Sequence, residues 1–229
     1  MVERVNDDFE DQTFNAWTGT DGDSTVDSNN PYADSYAAHF NIAQSVNNNW
    51  EGCYLGISDN PCYVRAYLDF EDPPNTNNED QWGLSFLDDA AGNALAYAGV
   101  RNDAGTLKWA IWYRDSGSFT YTVGGNFPAD GYHCLELGIL RNTSSAGWVE
   151  LWVDGSSEIQ ETGVDHSRNL DFARVGFGYS DARTDRSSDL YADEAVVSTA
   201  YIGPIAGGVT VPPLAHQYYS HIQKKVIGG

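Results

Sequence analysis

Two carboxylates, Glu136 and Glu150, stand in the runs CLELGIL (134–140) and GWVELWV (147–153), each on the side of its run that faces away from the aliphatic residues. A pair of carboxyls on neighbouring strands is the equipment of a glycosidase, provided that they sit about 5 to 9 Å apart and one keeps its proton. Trp148 and Trp152 share that side, and a third run, YVRAYLDF (63–70), adds Arg65 and Tyr67. Flat rings pack on the C–H face of a pyranose while carboxylates and a guanidinium bond its hydroxyls. Arg65, Tyr67, Glu136, Trp148, Glu150 and Trp152, with Trp112 as a neighbour, are therefore the candidate ligand-binding set. The competing expectation is that loops cover these aromatics and turn them into a second small core.

These residues need strands to hold them. Leu135, Leu137 and Ile139 alternate with Cys134, Glu136 and Gly138, and Val149, Leu151 and Val153 alternate with Trp148, Glu150 and Trp152. Two period-2 runs joined by a polar turn predict a β-hairpin over 132–155. A lone ribbon is marginal in water, so its aliphatic face must lie on a second layer. Strand-like runs at 34–42, 81–87, 94–101, 106–113, 118–123, 157–162, 171–179 and 190–199 bring the total to about a dozen, with NDAG (102–105) as the clearest hairpin turn. Phe9, Phe14 and Trp17 read as buried anchors, and the polar stretch 43–60 as a segment wrapping one edge. No helical periodicity occurs before residue 210. The economical fold is all-β: a two-layer antiparallel β-sandwich of jelly-roll type over 1–203, with a C-terminal linker and docking tail over 204–229.

Lys+Arg number 12 against 33 Asp+Glu, a net charge of -21. Such a surface repels phosphate backbones and argues against nucleic acid. No apolar run is long enough to span a membrane. Cys53 and Cys62 flank the turn-rich GISDNP and could be joined in an oxidising compartment, a choice left open, while Cys134 reads as a small buried hydrophobe. His39, His133 and His166 have no evident partner and read as structural. After Pro212-Pro213 the last stretch carries lysines and no acid. Leu214, Tyr218, Ile222 and Lys225 fall near helical spacing there, and with Tyr219 and Lys224 they make a basic, aromatic docking segment beside an acidic body. Met1 to Asp8 enters the fold with no apolar leader, which favours a component assembled inside the cell.

The order DDFED with Trp17, DSYAAHF, CLELGIL…WVELWVDG and LYADEAVVSTAYIGP resembles the concanavalin A-like, laminin-G-like jelly rolls of carbohydrate-binding modules and of phage and bacterial surface proteins, over about residues 6–204. In many such relatives a calcium ion ties the first strand to the last. The resemblance implies Glu10 and Asp193 as its ligands, helped by Asp8, although Asp34 stands where relatives often carry Gly. Glycosidases of this fold carry Glu-x-Asp-x-x-Glu on one strand, and that string is absent here. The expectation is accordingly a non-catalytic structural or adhesive module, not an enzyme. It would be displayed on the surface of a larger assembly, a virion decoration or fibre-type protein, with a glycan-binding face and its tail docked on other capsid or surface subunits. The alternatives are a secreted, extracellular carbohydrate-binding module and, third, a glycoside hydrolase or polysaccharide lyase.

Overall fold

A computed structural model describes residues 2–42, 50–88, 93–128, 131–178 and 188–205. Its strands are β1 (Glu3–Asp7), β2 (Gly19–Asp21), β3 (Thr25–Asp27), β4 (Ala37–Ile42), β5 (Glu51–Gly56), β6 (Cys62–Phe70), β7 (Asp80–Leu87) and β8 (Ala94–Asp103). They continue as β9 (Thr106–Asp115), β10 (Ser118–Asn126), β11 (His133–Leu140), β12 (Gly147–Val153), β13 (Ser156–Val164), β14 (Phe172–Phe177) and β15 (Ser188–Ser198). No helix occurs among the described residues, so none there is long and apolar enough to cross a membrane.

The strands form two antiparallel sheets. An eight-stranded sheet runs β13-β12-β11-β6-β15-β4-β3, with β1 also paired to β15, and a seven-stranded sheet runs β10-β9-β8-β7-β14-β5-β2. The two layers face each other as a jelly-roll sandwich. The expected hairpin is present, with Leu135, Leu137 and Ile139 opposite Val153, Leu151 and Val149. Those six, with Val64, Ala66 and Leu68 from β6, meet Leu84, Phe86, Ala98, Val100 and Ile111 from the other sheet in one core. Each fully buried aliphatic side chain contributes roughly 1.5–3 kcal/mol, which is why period-2 runs of this kind fix which face points inward. Phe9 and Trp17 are buried, and the Trp17 indole donates to Asp7 at 2.8 Å.

The turns follow from residue type. Ala104-Gly105 and Ser116-Gly117 both take left-handed φ values, 52° with 86° and 48° with 86°. That combination matches the twist of a two-residue hairpin loop. The segment 43–60 departs from expectation: Glu51–Gly56 is strand β5, hydrogen-bonded between β14 and β2. Its glycines hid it. A Cβ on Gly52 would meet the Val175 carbonyl oxygen at 2.5 Å, and one on Gly176 the Glu51 oxygen at 2.4 Å, so the two backbones approach more closely than side chains permit. Cys53, Cys62 and Cys134 are free and buried, with Cys53 and Cys62 on strands of opposite sheets.

Candidate functional site

The outer face of the seven-stranded sheet carries a row of side chains in direct cross-strand register: Tyr54 of β5, Arg174 of β14, Ser85 of β7, Tyr97 of β8, Trp112 of β9 and Tyr121 of β10. Around the row Trp82, Leu87, Ala94, Tyr97 and Ala110 form a second apolar cluster, separate from the core, against which Trp50, Trp112, Phe119 and Phe172 pack. Trp112 stacks on Tyr97 with ring centroids 5.6 Å apart, and Phe119 lies 4.2 Å from Trp112. Trp50 and Trp112 are half-buried, and Tyr121 is exposed.

The charge on this face is unlike the rest of the molecule. Of the eight Lys and Arg among the described residues, Arg101, Lys108, Arg114 and Arg174 stand here by strand parity. Three are laid on rings: Arg174 over Trp50 at 4.7 Å, Arg114 over Phe119 at 4.2 Å and Arg101 over Tyr121 at 4.2 Å. Arg101 pairs with Asp80 at 2.5 Å and Lys108 with Asp103 at 2.8 Å. Arg114 donates to the carbonyls of Ala94 and Gly117, and burial, followed by the nearby Arg168, holds its pKa below the usual arginine range.

Arg174 differs from the others. It is 2 % exposed, it pairs with Asp21 through Nη2, and its Nε and Nη1 have no partner. Burial pulls its pKa down to about 10, so it remains a cation at neutral pH. The Ser85 hydroxyl beside it and the Trp82 indole N–H are likewise buried without a partner. Buried donors are nearly always bonded, and leaving one unmade costs about 1–3 kcal/mol. Four unpartnered polar groups on three neighbouring residues of one face make that face the candidate site. A planar anion with hydroxyl neighbours is the chemistry that would satisfy them.

The residues singled out from sequence fall on both sides of the sandwich. Trp112 belongs to the face just described. Arg65, Tyr67, Glu136, Trp148, Glu150 and Trp152 stand on the outer face of the eight-stranded sheet, where Glu136 is the cross-strand neighbour of both Arg65 and Trp152. There the chain's own residues 201–205 lie as a strap over Glu136, Arg65 and Tyr67. Glu136 accepts the N–H groups of Ile202 and Gly203 at 2.7 and 2.8 Å, Arg65 donates to the Gly203 and Glu194 carbonyls, and Ile205 N–H donates to the Tyr67 hydroxyl. Glu150 accepts from Ser157 and Gln160. Burial pushes Glu136 up to about 7 against the pull of those two N–H bonds and of Arg65.

Asp8, Glu10 and Asp193 serve the backbone. Asp8 accepts from Glu10 N–H, Glu10 from Ser35 and Tyr36, and Asp193 from Tyr32, Ala33 and Glu194. No group of three or more His, Cys, Asp or Glu converges as for a metal among the described residues. Leu214, Tyr218, Tyr219, Ile222, Lys224 and Lys225 lie outside the described residues. Sequence reasoning missed Trp82, Tyr97 and Arg174. The signal available was Arg and Lys gathered at one parity of ALAYAGVRND and TLKWAIWYRD, in a chain with only 12 basic residues.

No family model matches the sequence, and no curated protein matches it either. Solved structures do match. The endo-β-1,4-glucuronan lyase of the fungus Trichoderma reesei is similar with a TM-score of 0.65 at 14% identity, over 87% of this chain and 96% of that one. The cellulose induced protein Cip1 is similar at 0.57 and 14% identity, over 87% and 99%. The alginate lyase AlyC3 is similar at 0.51 and 9% identity, over 71% and 74%. At these identities the likeness establishes the jelly-roll sandwich.

Polysaccharide lyases among the solved structures with this architecture overturn the expectation of a non-catalytic virion decoration with no reaction of its own, and nothing in the comparisons supports capsid subunits as partners. The physical reason lies in what the missing Glu-x-Asp-x-x-Glu string can exclude. Hydrolysis needs a carboxyl pair. Elimination at a uronate needs a cation for the substrate carboxylate and a proton-transferring side chain, and phenols and guanidiniums can supply both.

Proposed function

We propose that this chain is a polysaccharide lyase of the concanavalin A-like kind, acting on a uronate-containing polymer bound across the outer face of the seven-stranded sheet. The observation that carries the reading is Arg174: a buried guanidinium with two unpartnered nitrogens, set between Tyr54 and Ser85 in a row lined with aromatic rings. Trp112, Trp50 and Phe119 give sugar rings a flat surface. The substrate carboxylate sits on Arg174, which neutralises it and makes the C5 proton acidic. Tyr54 or Tyr97, acting as its phenolate, takes that proton and becomes the neutral phenol. The C5–H electrons form the C4=C5 double bond, the C4–O4 bond breaks, and the same phenol returns the proton to the departing O4. Three of the four cations are paired with Asp80, Asp103 and Asp21, which leaves this face near neutral where the body as a whole carries -21, so a polyanion is repelled less here than elsewhere.

The test is the ultraviolet absorbance of the unsaturated uronate released from polyglucuronate, polymannuronate, polyguluronate and polygalacturonate. Absorbance should rise on one of them, Arg174→Ala should lower kcat/KM at least ~100-fold, about 3 kcal/mol of transition-state stabilisation, and Arg174→Lys should recover part of it. No absorbance on any of the four polymers, or an unchanged rate in a folded Arg174→Ala protein, would refute the assignment.

A further inference from the structure

The opposite face of the molecule has aromatic residues that the lyase reading does not use. Trp148, Tyr63, Trp152 and Tyr201 form a continuous run on the outer side of the eight-stranded sheet, with successive ring centroids 5.8, 6.0 and 5.0 Å apart. The run is built into the sheet. Gly138 lies beneath it, and a Cβ there would come within 2.9 Å of both the Tyr63 and the Trp152 rings, so the glycine is what lets the two rings converge. A glycine inside a strand weakens that strand and commonly marks a close approach. The rings remain accessible: Tyr63, Trp148 and Trp152 are half-buried and Tyr201 is 39 % exposed, unlike Trp82 at 1 % on the other sheet.

We propose that this run is a second carbohydrate site, which holds a neutral, hydroxyl-rich polysaccharide by stacking. The rings are tilted to one another by 52°, 38° and 49°, so each presents its own apolar surface to the C–H face of a pyranose. The charges of the face select the class of sugar. Arg65, the cation here, is 5 % exposed and bonded to the Gly203 and Glu194 carbonyls. Glu136 and Glu150 stand beside the rings, with their oxygens already accepting from Ile202, Gly203, Ser157 and Gln160. A uronate would approach two buried carboxyl groups and a guanidinium whose two terminal nitrogens are already spent on carbonyls. A neutral chain meets rings and the outward edges of those hydrogen-bonded groups. The two faces thus differ in the ligand they take, anionic on one and neutral on the other, and this site stands whether or not the other face cleaves.

The test is depletion of the full-length protein from solution by insoluble β-1,4-glucan, with soluble galactomannan as a second neutral probe and polyglucuronate as the anionic one. The wild type should bind a neutral polymer with little dependence on salt. Trp152→Ala and Trp148→Ala should each weaken binding about tenfold, the scale of one lost stacking contact. Tyr201→Ala, at an exposed position and safe for folding, should weaken it several-fold, while Arg174→Ala leaves it unchanged. Failure to bind either neutral polymer, equal binding by a folded Tyr201→Ala and Trp152→Ala, or salt-sensitive binding of polyglucuronate alone that these variants abolish would each overturn the proposal. So would a dimer in sedimentation that Trp152→Ala dissociates, since the rings would then be covered by a second copy.

Discussion

Two buried acids make the stability of this protein depend on pH. Glu136 and Asp193 are 1 % exposed, and burial raises each from the ordinary carboxylate range to about 7 in spite of the backbone N–H groups they accept. The folded state therefore holds their protons more tightly than the unfolded chain does. Stability is fullest below the ordinary carboxylate range, declines as pH rises through it toward about 7, and levels off above. Each group accounts for roughly 3–4 kcal/mol across that window, since one pKa unit is about 1.4 kcal/mol. Thermal unfolding should give a higher Tm at pH 5 than at pH 8, and Glu136→Gln should flatten part of that slope. A Tm that climbs between pH 5 and 8 would contradict the assignment.

At the scale of the strand, closeness of backbones decides stability as much as side-chain burial does. Gly176 sits at φ 118° with β5 pressed against it, where a Cβ would fall 2.4 Å from the Glu51 carbonyl oxygen and 2.5 Å from Gly52 Cα. Gly176→Ala has to move backbone, so it should cost about 2–3 kcal/mol and lower Tm by several degrees. A change under one degree in calorimetry would mean that β5 and β14 can part freely. The same strands mark the limit of what the sequence reveals. β6, β11 and β12 were legible because Val64, Ala66 and Leu68, then Leu135, Leu137 and Ile139, then Val149, Leu151 and Val153 alternate with polar or aromatic partners. β5 was not legible, because Gly52 and Gly56 erase the alternation. The candidate site was less legible still. Arg174, Ser85, Tyr97 and Trp112 come from four strands and meet only through register, which no spacing within one strand reports. In the first half of β8, Ala94 to Gly99, both faces are apolar or small, so Tyr97 gave no contrast with the inward one.

For the molecule as a whole the dominant fact is a net charge of -21. Self-repulsion of that size destabilises a compact state, and it is screened as the Debye length falls from about 10 Å at 0.1 M to about 3 Å at 1 M salt. Tm should rise steadily with sodium chloride over that range, and a flat or falling Tm would show that the acids are paired or spaced well enough not to repel. The strap over the eight-stranded sheet has an architectural consequence. Because Ile202, Gly203 and Ile205 are bonded to Glu136, Arg65 and Tyr67, residue 205 is held on that side of the sandwich. A dye or solid support joined through an Ile205→Cys thiol stands behind the molecule and leaves the arginine-bearing side turned toward the open medium.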